Sequence, residues 1–233
     1  MKILITGAAG FIGMHSSLKF LNSKFSVLGI DNLNDYYDRN LKLNRLKLLK
    51  KNKKFNFKKI DISKYNNLKK VFDKFKPDYV LHLAAQAGVR YSIKNPGDYT
   101  RSNLVGFANI LECSKNSNIK HLVFASSSSV YGDSKKFPLS EEQKLNSPIS
   151  YYAATKLSNE LMAHSYSYIH QLPSTGLRFF TVYGPWGRPD MAYFKFTKKI
   201  LNGKKIDIYN KGKMYRDYTY IDDIVDGILK VIN

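Results

Sequence analysis

Short apolar runs alternate with amphipathic stretches along most of the chain. The runs at 3–6, 26–31, 55–61, 79–83, 121–126 and 175–180 are bounded by polar residues, Gly or Pro and are predicted strands. The stretches at 11–21, 41–50, 65–75, 100–116 and 148–171 are predicted helices. This alternation predicts an α/β fold with a doubly wound parallel sheet covered by helices on both faces.

The composition changes after Gly184, where a segment rich in Pro and Gly follows, with Pro185, Trp186, Gly187 and Pro189. We therefore predict a nucleotide-binding domain over residues 1–180 and a smaller substrate-binding region over residues 181–233. No apolar run reaches the ~18 residues of a membrane helix, and no signal-peptide cleavage pattern follows the first strand. With a single cysteine in the chain, these features predict a cytoplasmic protein without membrane contact.

The charge pattern bears on possible partners. The 38 Lys and Arg against 18 Asp and Glu give a net charge of +20 in 233 residues, which raises nucleic acid as a partner. Most of these cations are lysines, and a dense group lies between Lys42 and Lys76. Phosphate forks and base readout favour arginine, so we interpret these lysines as a solvated surface and expect no nucleic-acid partner. Because arginines are scarce, the position of each one is informative.

A glycine-rich turn follows the first predicted strand and opens a helix. Gly7, Gly10 and Gly13 permit a tight turn and close backbone approach, and Phe11 and Ile12 begin the helix. A helix N-terminus offers free N–H groups to a pyrophosphate, which makes this turn a dinucleotide-binding hypothesis.

Acidic and small residues end the next three strands. Asp31 ends the second, where a carboxylate accepts ribose hydroxyls and repels a 2′-phosphate, which favours NAD over NADP. Asp61 and Ile62 end the third, near the expected adenine, with helix capping as the alternative for both acids. Small residues after the fourth strand leave room for the cofactor, namely Leu83, Ala84 and Ala85.

The candidate chemistry lies on a predicted helix and at the end of the fifth strand. Tyr152 and Lys156 are four residues apart and share a helix face. A nearby ammonium favours the phenolate and makes proton abstraction from an alcohol feasible. The serines at 126–129 lie at a strand end, where a parallel sheet has its ligand crevice; a plain serine-rich turn is the alternative. No metal site is predicted.

Longer strings then identify a resemblance. Residues 31–38, 85–92, 126–132, 179–185 and 186–192 resemble extended short-chain dehydrogenase/reductases of the NAD-dependent epimerase/dehydratase family, most closely UDP-glucuronate 4-epimerases. The resemblance implies a Rossmann fold, an NAD cofactor and 4-epimerisation of a UDP-sugar through a 4-keto intermediate. It also implies that the chain is C-terminally truncated and its substrate region incomplete, so that UDP-sugar binding is expected to be weak.

Matching positions imply the following roles. Tyr152 is the catalytic base, Lys156 holds the nicotinamide ribose, and Ser127 supplies a third hydroxyl. The phosphate loop and Asp61 keep the roles given above, and Asn32 joins Asp31 at the adenosine ribose. The substrate positions are Arg90, Ser128, Ser129, Thr181, Arg188 and Arg216, with Arg216 at the diphosphate. Ser128 and Ser129 replace the acid pair of the dehydratases, so elimination is not expected.

Two alternatives to a UDP-glucuronate 4-epimerase stay open at this point. One is an epimerase acting on UDP-glucose or UDP-N-acetylglucosamine, and the other is a non-catalytic nucleotide- or RNA-binding protein of the same fold. The predicted helices at 100–116 and 148–171 carry apolar residues on two faces, and relatives dimerise through such helices. We therefore expect a homodimer.

Overall fold

The computed structural model describes every residue of the chain except Lys144, Asn146, Met214 and Asn233. The strands are β1 (Lys2–Thr6), β2 (Ser26–Asp31), β3 (Phe55–Lys59), β4 (Tyr79–His82), β5 (His121–Ala125), β6 (Ser174–Leu177), β7 (Thr181–Tyr183) and β8 (Tyr218–Tyr220). The helices are α1 (Phe11–Asn22), α2 (Arg39–Leu49), α3 (Tyr65–Phe75), α4 (Val89–Lys94), α5 (Pro96–Tyr99), α6 (Gly106–Asn116), α7 (Tyr151–His170), α8 (Ala192–Leu201) and α9 (Ile221–Ile232).

Six strands form one parallel sheet in the order β3-β2-β1-β4-β5-β6. The strand order reverses between β1 and β4, and their carboxyl ends flank the crevice where ligands bind in such sheets. The predicted doubly wound parallel sheet is therefore confirmed. β7 and β8 form a separate parallel pair.

Alternating side chains of the central strand pack into two different apolar cores. Ile3 and Ile5 of β1 face a core shared with α1, α2 and α9. Leu4 faces the opposite core, which is shared with α3, α6 and α7. All three side chains are fully buried, as expected for a strand covered on both faces.

Several predicted boundaries shift in the structure. β3 ends at Lys59 and α7 begins at Tyr151, and the helix predicted from residue 100 starts as a π-helical segment, Thr100–Val105. Most of the lysines in the lysine-rich stretch were interpreted as solvated surface. Lys42 is an exception, because it is buried on the inner face of α2 together with Arg45.

The C-terminal part divides between two environments. α8 has no buried residue. α9 packs its apolar face, through Ile228 and Ile232, into the core that it shares with α1 and α2. The division at residue 181 stays a prediction, and the last helix of the predicted second region lies on the sheet. In the described part of the chain, no helix combines the length and apolar character needed to cross a bilayer.

Candidate active site

The glycine turn forms a tight cradle between β1 and α1. A Cβ on Gly13 would lie 2.1 Å from the Gly7 carbonyl oxygen, and one on Gly7 would lie 2.8 Å from the Ala84 nitrogen. Gly7 also has a φ of +70°, which side chains disfavour. Phe11 and Ile12 open α1, whose first turn has no side-chain cap. Because the first N–H groups of an α-helix have no acceptor within the helix, the start of α1 can donate to a pyrophosphate.

Asp31 lies beside this cradle at the end of β2. Its carboxylate accepts hydrogen bonds from the Ala9 N–H at 3.3 Å and from the Leu33 N–H at 2.8 Å. Burial raises the pKa of Asp31, opposed by the Leu33 hydrogen bond and by the Lys42 charge. A buried carboxylate of this kind benefits from hydroxyl donors, which a ribose supplies. Asn32 follows and accepts from the Asn34 N–H.

The ends of β3 and β4 complete the same edge of the crevice. The Asp61 carboxylate accepts from the Ser63 N–H and hydroxyl, and the Ile62 carbonyl accepts from Asn109. The Leu83 and Ala84 N–H groups donate to the Thr6 hydroxyl. Ala85 is half-buried at this edge. The buried Gln86 that follows it has an amide nitrogen without a partner among the described atoms. Together with the cradle, these residues fit a dinucleotide.

Tyr152 and Ser127 meet at the crevice end of β5. Ser127 lies close to the Tyr152 phenol and lowers its pKa, and its hydroxyl accepts a hydrogen bond from the Ser129 hydroxyl at 2.9 Å. Burial raises the pKa of Tyr152, while the Ser127 hydrogen bond and the Arg188 charge lower it. The structure therefore brings together the tyrosine and serine that the sequence predicted as chemical groups.

Lys156 lies one turn along α7 and is almost fully buried. Its ammonium donates to the Ala125 carbonyl at 2.8 Å, and burial lowers its pKa to about 8. Burial and the Lys156 charge also lower the pKa of His82 to about 3. Because the Thr6 hydroxyl accepts from two N–H groups, it donates to His82 Nδ1, 2.8 Å away. His82 is thus a neutral neighbour of the lysine.

An ion pair lies behind the serines. Glu160 of α7 accepts from Arg178 through both carboxylate oxygens, at 3.0 and 2.8 Å, and from the Ser126 hydroxyl at 2.5 Å. Arg178 also donates to the Tyr131 phenol. This network connects α7, the end of β5 and the end of β6, which are the elements that carry the chemical groups.

Arg188 is the predicted substrate arginine nearest the chemistry. Its guanidinium forms a two-pronged pair with Asp190 at 3.0 and 2.5 Å, and the Tyr36 phenol donates to the same carboxylate at 3.1 Å. Burial opposes the Arg188 charge, but Asp190 more than offsets it and raises the pKa of Arg188. The charge of the guanidinium lowers the pKa of Tyr152, so the two groups are close enough to interact electrostatically.

The remaining predicted substrate residues lie on several different elements and do not form one cluster. Ser128, half-buried, donates its N–H to the Phe179 carbonyl, and Thr181 begins β7. Arg90 is exposed on α4 and lines a cavity of about 510 Å³ with Tyr36, Tyr91 and Asp190. Arg216 is exposed, and its guanidinium donates to the Tyr215 carbonyl. The described residues contain no group of three or more His, Cys, Asp or Glu that could hold a metal ion.

Sequence reasoning missed three buried polar residues around the site. Asn103 exchanges hydrogen bonds with both backbone groups of Gln86 and donates to Thr155. Lys42 donates to Asn34, and Arg45 reaches the phosphate loop. Asn103 follows three polar residues, Thr100, Arg101 and Ser102, so the local sequence did not mark it as buried. For the two cations, the signal was their shared face with Leu46 and Leu49.

Comparison with known proteins agrees with this geometry. The NAD dependent epimerase/dehydratase family matches residues 3–233. The chain belongs to that family. Its glycine cradle, Asp31 and the Tyr152–Ser127 pair are the features in this structure that suit an NAD dependent epimerase/dehydratase.

Individual relatives of the family are similar over the whole chain. Protein CapI of Staphylococcus aureus is 57% identical over 232 residues, which cover 100% of this chain and 69% of that protein. UDP-glucuronate 4-epimerase 2 of Arabidopsis thaliana is 52% identical over 237 residues, covering 100% and 54%. A crystal structure of UDP-glucuronic acid 4-epimerase from Bacillus cereus with UDP-glucuronic acid and NAD superposes with a TM-score of 0.94 at 39% identity, covering 100% and 73%.

Proposed function

We propose that this chain is an NAD-dependent 4-epimerase that interconverts UDP-glucuronate and UDP-galacturonate. The observation that carries the proposal is that Tyr152 lies near Ser127 and Arg188, on the helix whose Lys156 is bound to the end of β5, in a sheet that also carries the glycine cradle. The similarity to named UDP-glucuronate 4-epimerases over the whole of this chain supports the same substrate.

NAD, when bound, accepts a hydride from carbon 4 of the sugar and returns it to the opposite face. The cradle of Gly7, Gly10 and Gly13 would hold its pyrophosphate, and Asp31 would accept its adenosine ribose hydroxyls. Lys156 would hold the nicotinamide ribose once its ammonium turns from the Ala125 carbonyl.

Tyr152 moves the proton in this mechanism. As a phenolate it takes the proton from the 4-hydroxyl, and it returns that proton to the oxygen after the keto sugar has turned over. The Arg188 charge and the Ser127 hydrogen bond both lower the pKa of Tyr152 against the effect of burial. Ser127 positions the 4-hydroxyl for this transfer. No net oxidant is consumed, because the hydride returns to the same sugar.

The crevice offers hydrogen-bond donors for the carboxylate of a uronate. Arg188 lies near Tyr152, and the hydroxyls of Ser128, Ser129 and Thr181 are donors that suit a carboxylate. Arg216 would bind the diphosphate. An epimerase for UDP-glucose or UDP-N-acetylglucosamine is the second candidate, since it uses the same chemical groups and Arg188 already has an anionic partner in Asp190.

The test is to incubate the protein with NAD and UDP-glucuronate and to follow formation of UDP-galacturonate. In deuterated water the product should keep protium at carbon 4, because the hydrogen travels as hydride and never exchanges with solvent. UDP-glucose and UDP-N-acetylglucosamine are the matched substrates. Faster turnover of either neutral sugar would overturn the choice of uronate, and salt-dependent RNA retention without turnover would favour a binding protein.

The proposal also covers the oligomeric state of the protein, the roles of its two regions and its place in the cell. The outer face of α7 exposes Leu161 and Tyr168, and Val105 is exposed at the start of the neighbouring helical segment; these apolar residues support a homodimer. Light scattering that finds a monomer at micromolar concentration would contradict it. Residues 1–180 would carry the cofactor and the chemistry, residues 181–233 would serve substrate binding, and the reaction would take place in the cytoplasm.

A further inference from the structure

Arg45 is a fully buried cation whose hydrogen-bond partners are uncharged. Its guanidinium donates to the Ala9 carbonyl at 3.1 Å and the Tyr37 phenol at 2.7 Å. It also donates to the carbonyls of Trp186 at 2.5 Å and Gly187 at 3.2 Å. Burying a charge is costly, so this placement calls for a reason beyond packing.

Those acceptors belong to two distant segments. Ala9 lies inside the phosphate loop, between Gly7 and Gly10, whereas Trp186 and Gly187 directly precede Arg188. One planar guanidinium therefore bridges the loop assigned to the pyrophosphate and the loop that carries the substrate arginine. A lysine ammonium is a point donor without this fork and does not reproduce the bridge.

The backbone at Trp186 shows that its loop is held. Trp186 has a φ of +62°, an unfavourable conformation for a bulky side chain that persists only where the surroundings enforce it. The Gly187 N–H closes a turn onto the Gly184 carbonyl. Arg45 binds the carbonyls of Trp186 and Gly187 themselves, so it acts on the strained residues directly.

Further polar contacts hold the same loop, residues 184–190. His15 Nε2 lies 2.9 Å from the Pro185 carbonyl, and the Tyr36 phenol donates to Asp190. Trp186 itself is 39% exposed, so its side chain is not fixed by a closed apolar core. Of these three residues, Arg45 is the one that donates two hydrogen bonds to loop 184–190 and one to the phosphate loop.

We propose that Arg45 is a positioning residue that fastens loop 184–190 to the phosphate loop and thereby sets Arg188 beside Tyr152. The inference rests on the proposed function for the role of Arg188, but the fastening itself is a property of the ligand-free protein. One side chain of α2 then fixes the position of Arg188 relative to the phosphate loop.

The only tryptophan of the chain is Trp186, so its fluorescence reports on this loop alone. In Arg45→Met, acrylamide quenching of the ligand-free protein should increase about twofold or more, because the loop opens locally. The KM for UDP-glucuronate should rise about tenfold or more, while the Kd for NAD changes by less than about threefold. Arg39→Met, on the exposed start of α2, is the matched control and should leave all three quantities unchanged.

Three results would overturn the proposal. Unchanged quenching in Arg45→Met would show that the loop is held without Arg45. Full rescue of quenching and KM by Arg45→Lys would show that charge alone acts and not the fork. A loss of NAD affinity as large as the rise in KM would assign Arg45 to the cofactor. Arg45→Gln asks the same questions should Arg45→Met not fold, and a wild-type protein that binds no UDP-sugar would refute the proposed function while the quenching test still decides the fastening.

Discussion

The sheet and the segment 184–220 are stabilised in different ways. The strands β1, β4 and β5 bury nearly every apolar side chain in two cores, and the glycine cradle sits directly on them. In the second segment α8 buries none of its residues, and Leu201 is 81% exposed. Within this segment, β8 pairs with β7, and loop 184–190 is held near the crevice by polar contacts from Arg45, His15 and Tyr36.

This difference separates two kinds of change. A substitution in the sheet is expected to alter the free energy of unfolding, because apolar burial supplies most of it. A substitution among the polar contacts of loop 184–190 is expected to alter substrate binding with little effect on unfolding. The chemical groups lie where the regions meet, with Tyr152 on a helix of the sheet and Arg188 on the loop.

The largest expected effect is on turnover alone. Tyr152→Phe removes the proton-transfer group and should reduce kcat by about a thousandfold or more, while the Kd for NAD stays within about threefold. Tyr151→Phe is the matched control, since that phenol is hydrogen-bonded to Thr100 at the surface. A Tyr152→Phe enzyme that keeps more than about a tenth of the activity would reject Tyr152 as the base.

The comparison of the two regions predicts a second large effect, on stability. Phe107 is fully buried against Phe124 in the core shared with α3, α6 and α7, and Phe107→Ala should lower the free energy of unfolding by about 3–5 kcal/mol. Ile200 of α8 is 61% exposed, and Ile200→Ala should change it by less than about 0.5 kcal/mol. Urea denaturation measures both. Similar losses from the two substitutions would show that the segment is stabilised by burial after all.

A third effect is the pH dependence of stability that the buried Lys156 causes. Burial lowers the pKa of Lys156 to about 8 from 10.5, so the folded protein loses this proton before the unfolded chain does. Between these values the unfolded chain binds more protons, and the free energy of unfolding therefore rises with pH. Relative to Lys156→Met, the wild type should gain on the order of 3 kcal/mol from pH 7 to above pH 10.5.

Urea denaturation of both proteins over this pH range, without ligands, measures the difference. The other titrating groups are common to the two proteins. His82, whose pKa burial and the Lys156 charge lower to about 3, is already neutral in the wild type over this pH range. A constant difference would mean that the lysine is not desolvated in the ligand-free fold.

Much of the sheet could be predicted from the sequence, because each strand is a short apolar run and each crossover a helical stretch. The Gly7–Gly13 cradle and the Tyr152–Lys156 pair were also predictable, since their geometry is local: a turn opening a helix, and two residues four apart. α9 was missed although Ile221, Val225, Ile228 and Ile232 follow a helical period. That signal was present in the sequence.

The arrangement of loop 184–190 was not predictable. The bridge from Ala9 to Trp186 depends on residues more than a hundred positions apart, and sequence periodicity carries no information about such contacts. Arg45 lay in a lysine-rich stretch, where composition favoured a solvated interpretation. The face that it shares with Leu46 and Leu49 indicated that it points inward, but only the packing of α2 shows that it reaches the phosphate loop.

The smallest expected effect concerns the cofactor rather than the fold. The Asp31 carboxylate accepts from the Ala9 and Leu33 N–H groups and lies where the adenosine ribose would be held. A 2′-phosphate at that ribose would meet a buried negative charge, so NAD should bind more tightly than NADP. Asp31→Ala should narrow the ratio of the two Kd values by about tenfold, roughly 1.4 kcal/mol. Calorimetric titration with both cofactors measures this ratio.

Asp61→Ala is the control at the next strand end, where the carboxylate is expected to meet the adenine. This substitution should weaken the binding of both cofactors alike. Equal affinity of the wild type for NAD and NADP would show that Asp31 does not face the ribose, and its hydrogen bonds would then serve only to hold the phosphate loop against β2.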